Sequence, residues 1–150
     1  MTKEIYICIA VAVLAVLALA TLLVLRKARR GRLRDMDLME GHAFEYYCAD
    51  LLRGAGFLEV EVTRGSGDYG VDILAERDGV TYAVQCKRYD GPVGVKAVQE
   101  VYAGRDYYDR MVGAVMTNQY FTRPAVEVAR KLKILLWDRG YLESILEERT

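Results

Sequence analysis

Three side chains stand out by type and spacing: Asp72, Gln85 and Lys87. Between Asp72 and Gln85 lie an apolar run, the dipeptide Asp78-Gly79, and a second run ending Val84-Gln85-Cys86-Lys87-Arg88. Asp-Gly between two strand-like runs predicts a hairpin, because both central residues of a type I′ turn take positive φ. With a two-residue loop, Arg77 pairs with Val80 and Asp72 lies opposite Gln85, their Cβ atoms about 5 Å apart on one face. Lys87 shares that face, roughly 7 Å further along the strand. The three bring together a carboxylate that can hold a hard cation, an amide that can offer a neutral oxygen, and an ammonium that can neutralise developing negative charge. The plainer alternative is a structural Asp72–Lys87 ion pair on a sheet surface. Gly65, Gly67 and Gly70 precede Asp72 and either shape an approach to the site or only serve a tight turn. Asp68 likewise joins the site or caps that turn.

The elements that must position these residues can be read from periodicity. Asp37 with Glu40 three residues later predicts a capping box opening a helix. Phe44, Tyr47, Cys48, Leu51 and Leu52 then form an apolar stripe, and Gly54 and Gly56 end it. Leu58, Val60 and Val62 alternate with Glu59, Glu61 and Thr63, as in a half-buried strand. After the hairpin, Gly91-Pro92 breaks the chain and Val95 to about Arg110 reads as a helix with Val98, Val101 and Tyr102 inward. Val112 to Met116 is a strand apolar on both faces. Pro124 marks a helix to about Leu132, Ile134 to Trp137 a strand, and Tyr141 to Glu147 a last short helix. The order α-β-β-β-α-β, then α-β-α, predicts an α/β fold: a mixed sheet flanked by helices.

Asp72 followed by Gln85-Cys86-Lys87 resembles the PD-(D/E)xK nuclease core, in the variant where Gln replaces the second acid. Around it stand Gly41-His42-Ala43-Phe44-Glu45, Gly67-Asp68-Tyr69-Gly70-Val71-Asp72, Val84-Gln85-Cys86-Lys87-Arg88, and Met116-Thr117-Asn118 with Phe121-Thr122. This ordered set is similar to the Mrr-like restriction endonuclease family over roughly residues 38 to 146. The resemblance implies a restriction-endonuclease-like core and a DNA endonuclease using Mg²⁺, with Mn²⁺ as a substitute. Cleavage would leave 5′-phosphate and 3′-hydroxyl ends, and cutting both strands would need two domains, hence a homodimer. Asp72, Gln85 and Glu45 would be the metal ligands, with Lys87 polarising or orienting the attacking water. Gly67 and Asp68 could approach the DNA backbone, and Gln99 on the second helix resembles a family site position. Two other readings stay open: a structure-selective nuclease acting on junctions or ends, and an inactive membrane-tethered DNA-binding or assembly module.

From Ile5 to Leu25 the chain is uncharged, a stretch of about 31 Å as a helix and enough to span a bilayer. Arg26, Lys27, Arg29, Arg30, Arg32 and Arg34 follow at once. By the positive-inside rule they stay cytoplasmic. The expectation is a short external N-terminus (1–4), a transmembrane helix (5–25), a basic juxtamembrane linker (26–36) and a cytoplasmic nuclease domain (37–150). Ala18-Leu19-Ala20 supplies the cleavage site of a competing signal-peptide reading. Beyond residue 34 there are 14 Lys and Arg against 20 Asp and Glu. That excess of acid is unlike a generic nucleic-acid binder, which relies on basic charge, although a cation can mediate phosphate contact. Cys8, Cys48 and Cys86 form no C-x-x-C, and His42 is the one histidine, which disfavours zinc chemistry. Tyr46, Tyr47, Tyr107 and Tyr108 sit at helical spacing, where tyrosines flank a core more often than they stack on bases.

Overall fold

The structure is a computed structural model that describes residues 3–64, 67 and 69–148, and the side chains of these outside 28–34. The chain divides into two compact units between Asp35 and Met36. The first is the body of helix α1 (Lys3–Leu38). Its stretch Lys3–Lys27 is long and apolar enough to be a candidate membrane span. Residues 26–36, expected as a linker, are helical throughout.

The second unit runs α2 (Gly41–Gly54), β1 (Leu58–Val62), β2 (Ile73–Arg77), β3 (Val80–Lys87), α3 (Val95–Tyr107), β4 (Val112–Thr117), α4 (Arg123–Leu132), β5 (Ile134–Trp137) and α5 (Arg139–Glu148). The five strands lie in chain order across one sheet. β1, β2 and β3 are antiparallel, and β4 and β5 run parallel to β3, each reached through a crossover helix. α2 packs with α5, and α3 with α4, so helices cover both faces. Under α3 and α4 lie Val98, Val101, Val115, Ala125, Ala129 and Ile134. This is the mixed α/β sheet that periodicity predicts.

The hairpin forms as its turn chemistry requires. Asp78 and Gly79 have φ of 54° and 77°, and β2 pairs with β3 from Arg77↔Val80 to Ile73↔Val84. The regular ladder stops there. The Asp72 N–H bonds the Val84 carbonyl at 2.8 Å, the residue already opposite Ile73, so the register slips at the position that carries the carboxylate.

Three local expectations are corrected. Asp37 belongs to the last turn of α1 and does not cap α2, whose N-cap residue Glu40 makes no side-chain cap bond. The Asp37 carboxylate instead takes hydrogen bonds from Arg139 and Asn118. Leu58 is exposed, because the β1 register shifts between Leu58 and Glu61 and Glu59 takes a positive φ. Tyr102 is exposed beneath the Arg105 guanidinium, and Ala97 and Gly104 are buried on α3 beside Val98 and Val101.

Candidate active site

Asp72 is 5% exposed, an expensive place for a carboxylate unless it is hydrogen-bonded. Its Oδ2 accepts the Gln85 Nε2 at 2.5 Å and the Cys86 backbone N–H at 2.6 Å. The first bond fixes the amide orientation: the nitrogen must face the carboxylate, so Oε1 faces away. That Gln85 Oε1 is buried and has no hydrogen-bond partner among the described residues. Such an acceptor is costly to leave unmatched.

Lys87 shares the wall of the same cavity, of about 590 Å³, with Asp72 and Gln85. Its Nζ lies 2.8 Å from Glu100 Oε2 on α3. Burial works against the ammonium, but the hydrogen bond and charge of Glu100 outweigh it and raise the Lys87 pKa. Glu45 reaches the cavity from α2, with Oε2 2.8 Å from His42 Nδ1. The lone histidine thus contacts a candidate site residue. Cys86 is buried, and burial first, then its neighbour Cys48, pushes its thiol pKa well up. It is a packing residue.

The expected residues divide accordingly. Asp72, Gln85, Lys87 and Glu45 all line one cavity. Gln99 is exposed and does not line it; the next residue, Glu100, does. Gly67 is exposed with φ 78° and is not part of the lining. Asp68 lies outside the described residues. Sequence reasoning missed Glu100, although a carboxylate on α3 next to the singled-out Gln99 was in view. It also missed Tyr69 and Tyr89 at the cavity edge.

A divalent cation fits this donor set in part. Asp72 offers carboxylate oxygen, and Gln85 Oε1 is the kind of buried, unmatched acceptor a hard cation would satisfy. Among the described residues no three His, Cys, Asp or Glu side chains gather as a ligand cluster. Water would have to complete the shell, as is usual for Mg²⁺.

Known proteins bear on the same region. A structure described as a protein of unknown function, AF1548, has a TM-score of 0.63 at 26% identity, covering 73% of this chain and 67% of that one. The DNA modification-dependent restriction endonuclease AspBHI has a TM-score of 0.57 at 21% identity, covering 71% of this chain and 30% of its own. The MspJI restriction endonuclease, solved with a 27-mer oligonucleotide, gives 0.57 at 21%, covering 79% and 31%. This chain therefore spans under a third of those two enzymes, and their likeness is one of fold. No curated protein matches. The Mrr_cat model, described as restriction endonuclease, matches residues 36–146. That span is the whole second unit up to α5 and carries the cavity just described, and this chain belongs to the Mrr_cat restriction endonuclease family.

Proposed function

We propose that this chain is a membrane-anchored, divalent-metal-dependent DNA endonuclease. The observation that carries the reading is the convergence of Asp72, Gln85 with its unmatched Oε1, and Lys87 on one cavity of a restriction-endonuclease domain. Asp72 and Gln85 would hold Mg²⁺ or Mn²⁺, with Glu45 beside them. The metal, when bound, supplies Lewis acidity toward a scissile phosphate and an acidified water. Gln85 Nε2 and the Cys86 N–H hold the Asp72 carboxylate in place before any ligand arrives. Lys87, kept protonated by Glu100, orients the attacking water or neutralises charge building on the phosphate. Glu100, in place of Gln99, is the contribution of α3. Gly67 and Asp68, in the loop before Asp72, would approach the DNA backbone. Cutting both strands would take two domains, hence a homodimer.

The anchor would be residues 5–25, with 1–4 outside, the basic segment 26–36 at the cytoplasmic face and the domain from 37 onward inside. A second reading, a tethered DNA-binding module without catalysis, is favoured by one feature: Gln85 leaves the site a carboxylate short in a domain already rich in acid.

Plasmid nicking by the full chain in lipid nanodiscs tests this. Mg²⁺-dependent nicking should fall by about 100-fold or more in Asp72→Asn and in Lys87→Ala. Wild-type protein as inert as both variants on plain, methylated and branched DNA would give the binding module the lead.

A further inference from the structure

Tyr69 and Tyr107 form the least expected aromatic contact in the domain. Their ring centroids are 3.8 Å apart with planes at 28°. Each remains 57% exposed. Tyr108 meets Tyr107 edge-on at 5.1 Å. A core pair would be covered, and these are not.

The backbone beneath Tyr69 is held in an unusual state. Tyr69 has φ 51°, a conformation that a non-glycine residue adopts at a cost. It persists because the loop is seated on α3 through two glycines. A Cβ on Gly104 would come within 2.5 Å of the Tyr69 carbonyl oxygen and of Val71 Cγ2, and one on Gly70 within 2.9 Å of the Glu100 backbone. Glycine at position 69 would relieve the strain and lose the ring. Tyr69 also lines the cavity that holds Asp72, Gln85 and Lys87.

We propose that the Tyr69–Tyr107 stack is a docking platform for an unpaired nucleobase of the DNA substrate. The proposal rests on the nuclease reading and narrows its substrate class. Inside a duplex both faces of a base pair are covered by neighbours, so away from duplex ends an exposed ring can stack only on a base that is single-stranded or flipped. Stacking is independent of charge, and this domain carries more acid than base overall, so net charge does not favour its hold on DNA. The preferred substrate would therefore be DNA with unpaired bases near the scissile bond.

The test is binding of the full chain in nanodiscs, with Ca²⁺ in place of Mg²⁺, to labelled oligonucleotides. Three probes suffice: a single strand, its abasic counterpart with the same phosphates, and the blunt duplex. Tyr69→Leu keeps bulk and backbone demand but removes the π face, Tyr69→Phe keeps the ring, and Tyr107→Leu removes the support from an ordinary helical position. Both leucine variants should weaken single-strand binding by about tenfold and abasic binding far less, with Tyr69→Phe close to wild type. Unfolding temperatures confirm folding. Equal affinity of wild type and leucine variants for the single strand, or an equal loss on the abasic strand, would overturn the platform. Plasmid nicking by wild type in the same preparation separates the two claims: nicking with no platform effect sinks only this inference, whereas no cleavage and no binding of any DNA sinks both.

Discussion

Lys87 would be a poor place to keep an ammonium without Glu100. The side chain is largely buried, which alone would favour the neutral amine, and the carboxylate 2.8 Å away reverses that preference. Because the folded pKa is raised, the pair's contribution to stability is complete below the unfolded value of 10.5 and is lost as pH rises through the higher folded value. At neutral pH Lys87 is therefore charged and aimed. Glu100→Gln keeps the shape and one hydrogen-bond acceptor but removes the charge. We expect kcat to fall about tenfold with KM for DNA changed less than twofold. Stability should drop by no more than about 1 kcal/mol, because the pair is not fully desolvated. A large change in KM with kcat intact would instead make Glu100 a substrate contact.

At the scale of elements, the loop carrying Asp72 and helix α3 are fitted together through Gly104 and Gly70. Gly104→Ala adds a methyl into space already filled by the Tyr69 carbonyl and Val71. It should cost about 1–3 kcal/mol in thermal unfolding and reduce nicking more than stability alone explains, since Asp72 moves with the loop. A second junction, within the second unit, ties Asp37 to the strand ends. Arg139 donates to both Asp37 oxygens at 2.8 and 3.0 Å, Asn118 adds a bond at 2.9 Å, and Arg88, next to Lys87, donates to the Asp37 carbonyl at 2.7 Å. The Arg139 hydrogen bond leads the effects that lower the Asp37 pKa. A lowered carboxylate stabilises the fold above its unfolded pKa of 3.8 and loses that contribution as pH falls through the lower folded value. Asp37→Asn should lower the melting temperature at pH 7, with the gap to wild type closing below about pH 4 in circular dichroism melts.

These junctions also mark where the sequence stopped being legible. The hairpin could be read because Asp78-Gly79 dictates its own turn, and the α2 stripe and the start of α4 near Pro124 because they are local patterns. Asp37 resembled half of a capping box, and nothing local pointed to a partner 102 residues away. Asp72, Gln85, Lys87 and Glu45, singled out in the sequence, line one cavity. Strand alternation puts Gln85 and Lys87 on one face, whereas Asp72 reaches it across a register slip, not from directly opposite Gln85 as expected, and Glu45 comes from α2. The choice between Gln99 and Glu100 was not legible, since adjacent helix positions point about 100° apart and the phase of α3 is set by its glycine contacts with the loop. Tyr107 was assigned to a core flank by its spacing and is instead exposed on Tyr69, a partner brought there by a loop with no periodicity.

At the scale of the whole molecule, charge is segregated: six basic residues fall within 26–34, and acid dominates beyond. Topology and DNA affinity depend on different parts of that division. Anchoring with the domain inside would follow from the basic cluster holding its place at the cytoplasmic face. The native thiols suit a labelling test, because Cys48 and Cys86 are buried and Cys8 sits within the apolar stretch. Thr2→Cys should react with a membrane-impermeant maleimide on intact cells. Leu38→Cys, at a position 79% exposed, should react only after permeabilisation. The reverse pattern would place the domain outside and remove intracellular DNA from its reach. A product lacking its first 20 residues, with the domain free of the membrane, would instead mean cleavage after Ala18-Leu19-Ala20. Only the first pattern would keep the proposed nuclease at the inner membrane surface, where tethering would raise its local concentration toward any DNA that passes and offset the net acidic charge of the domain.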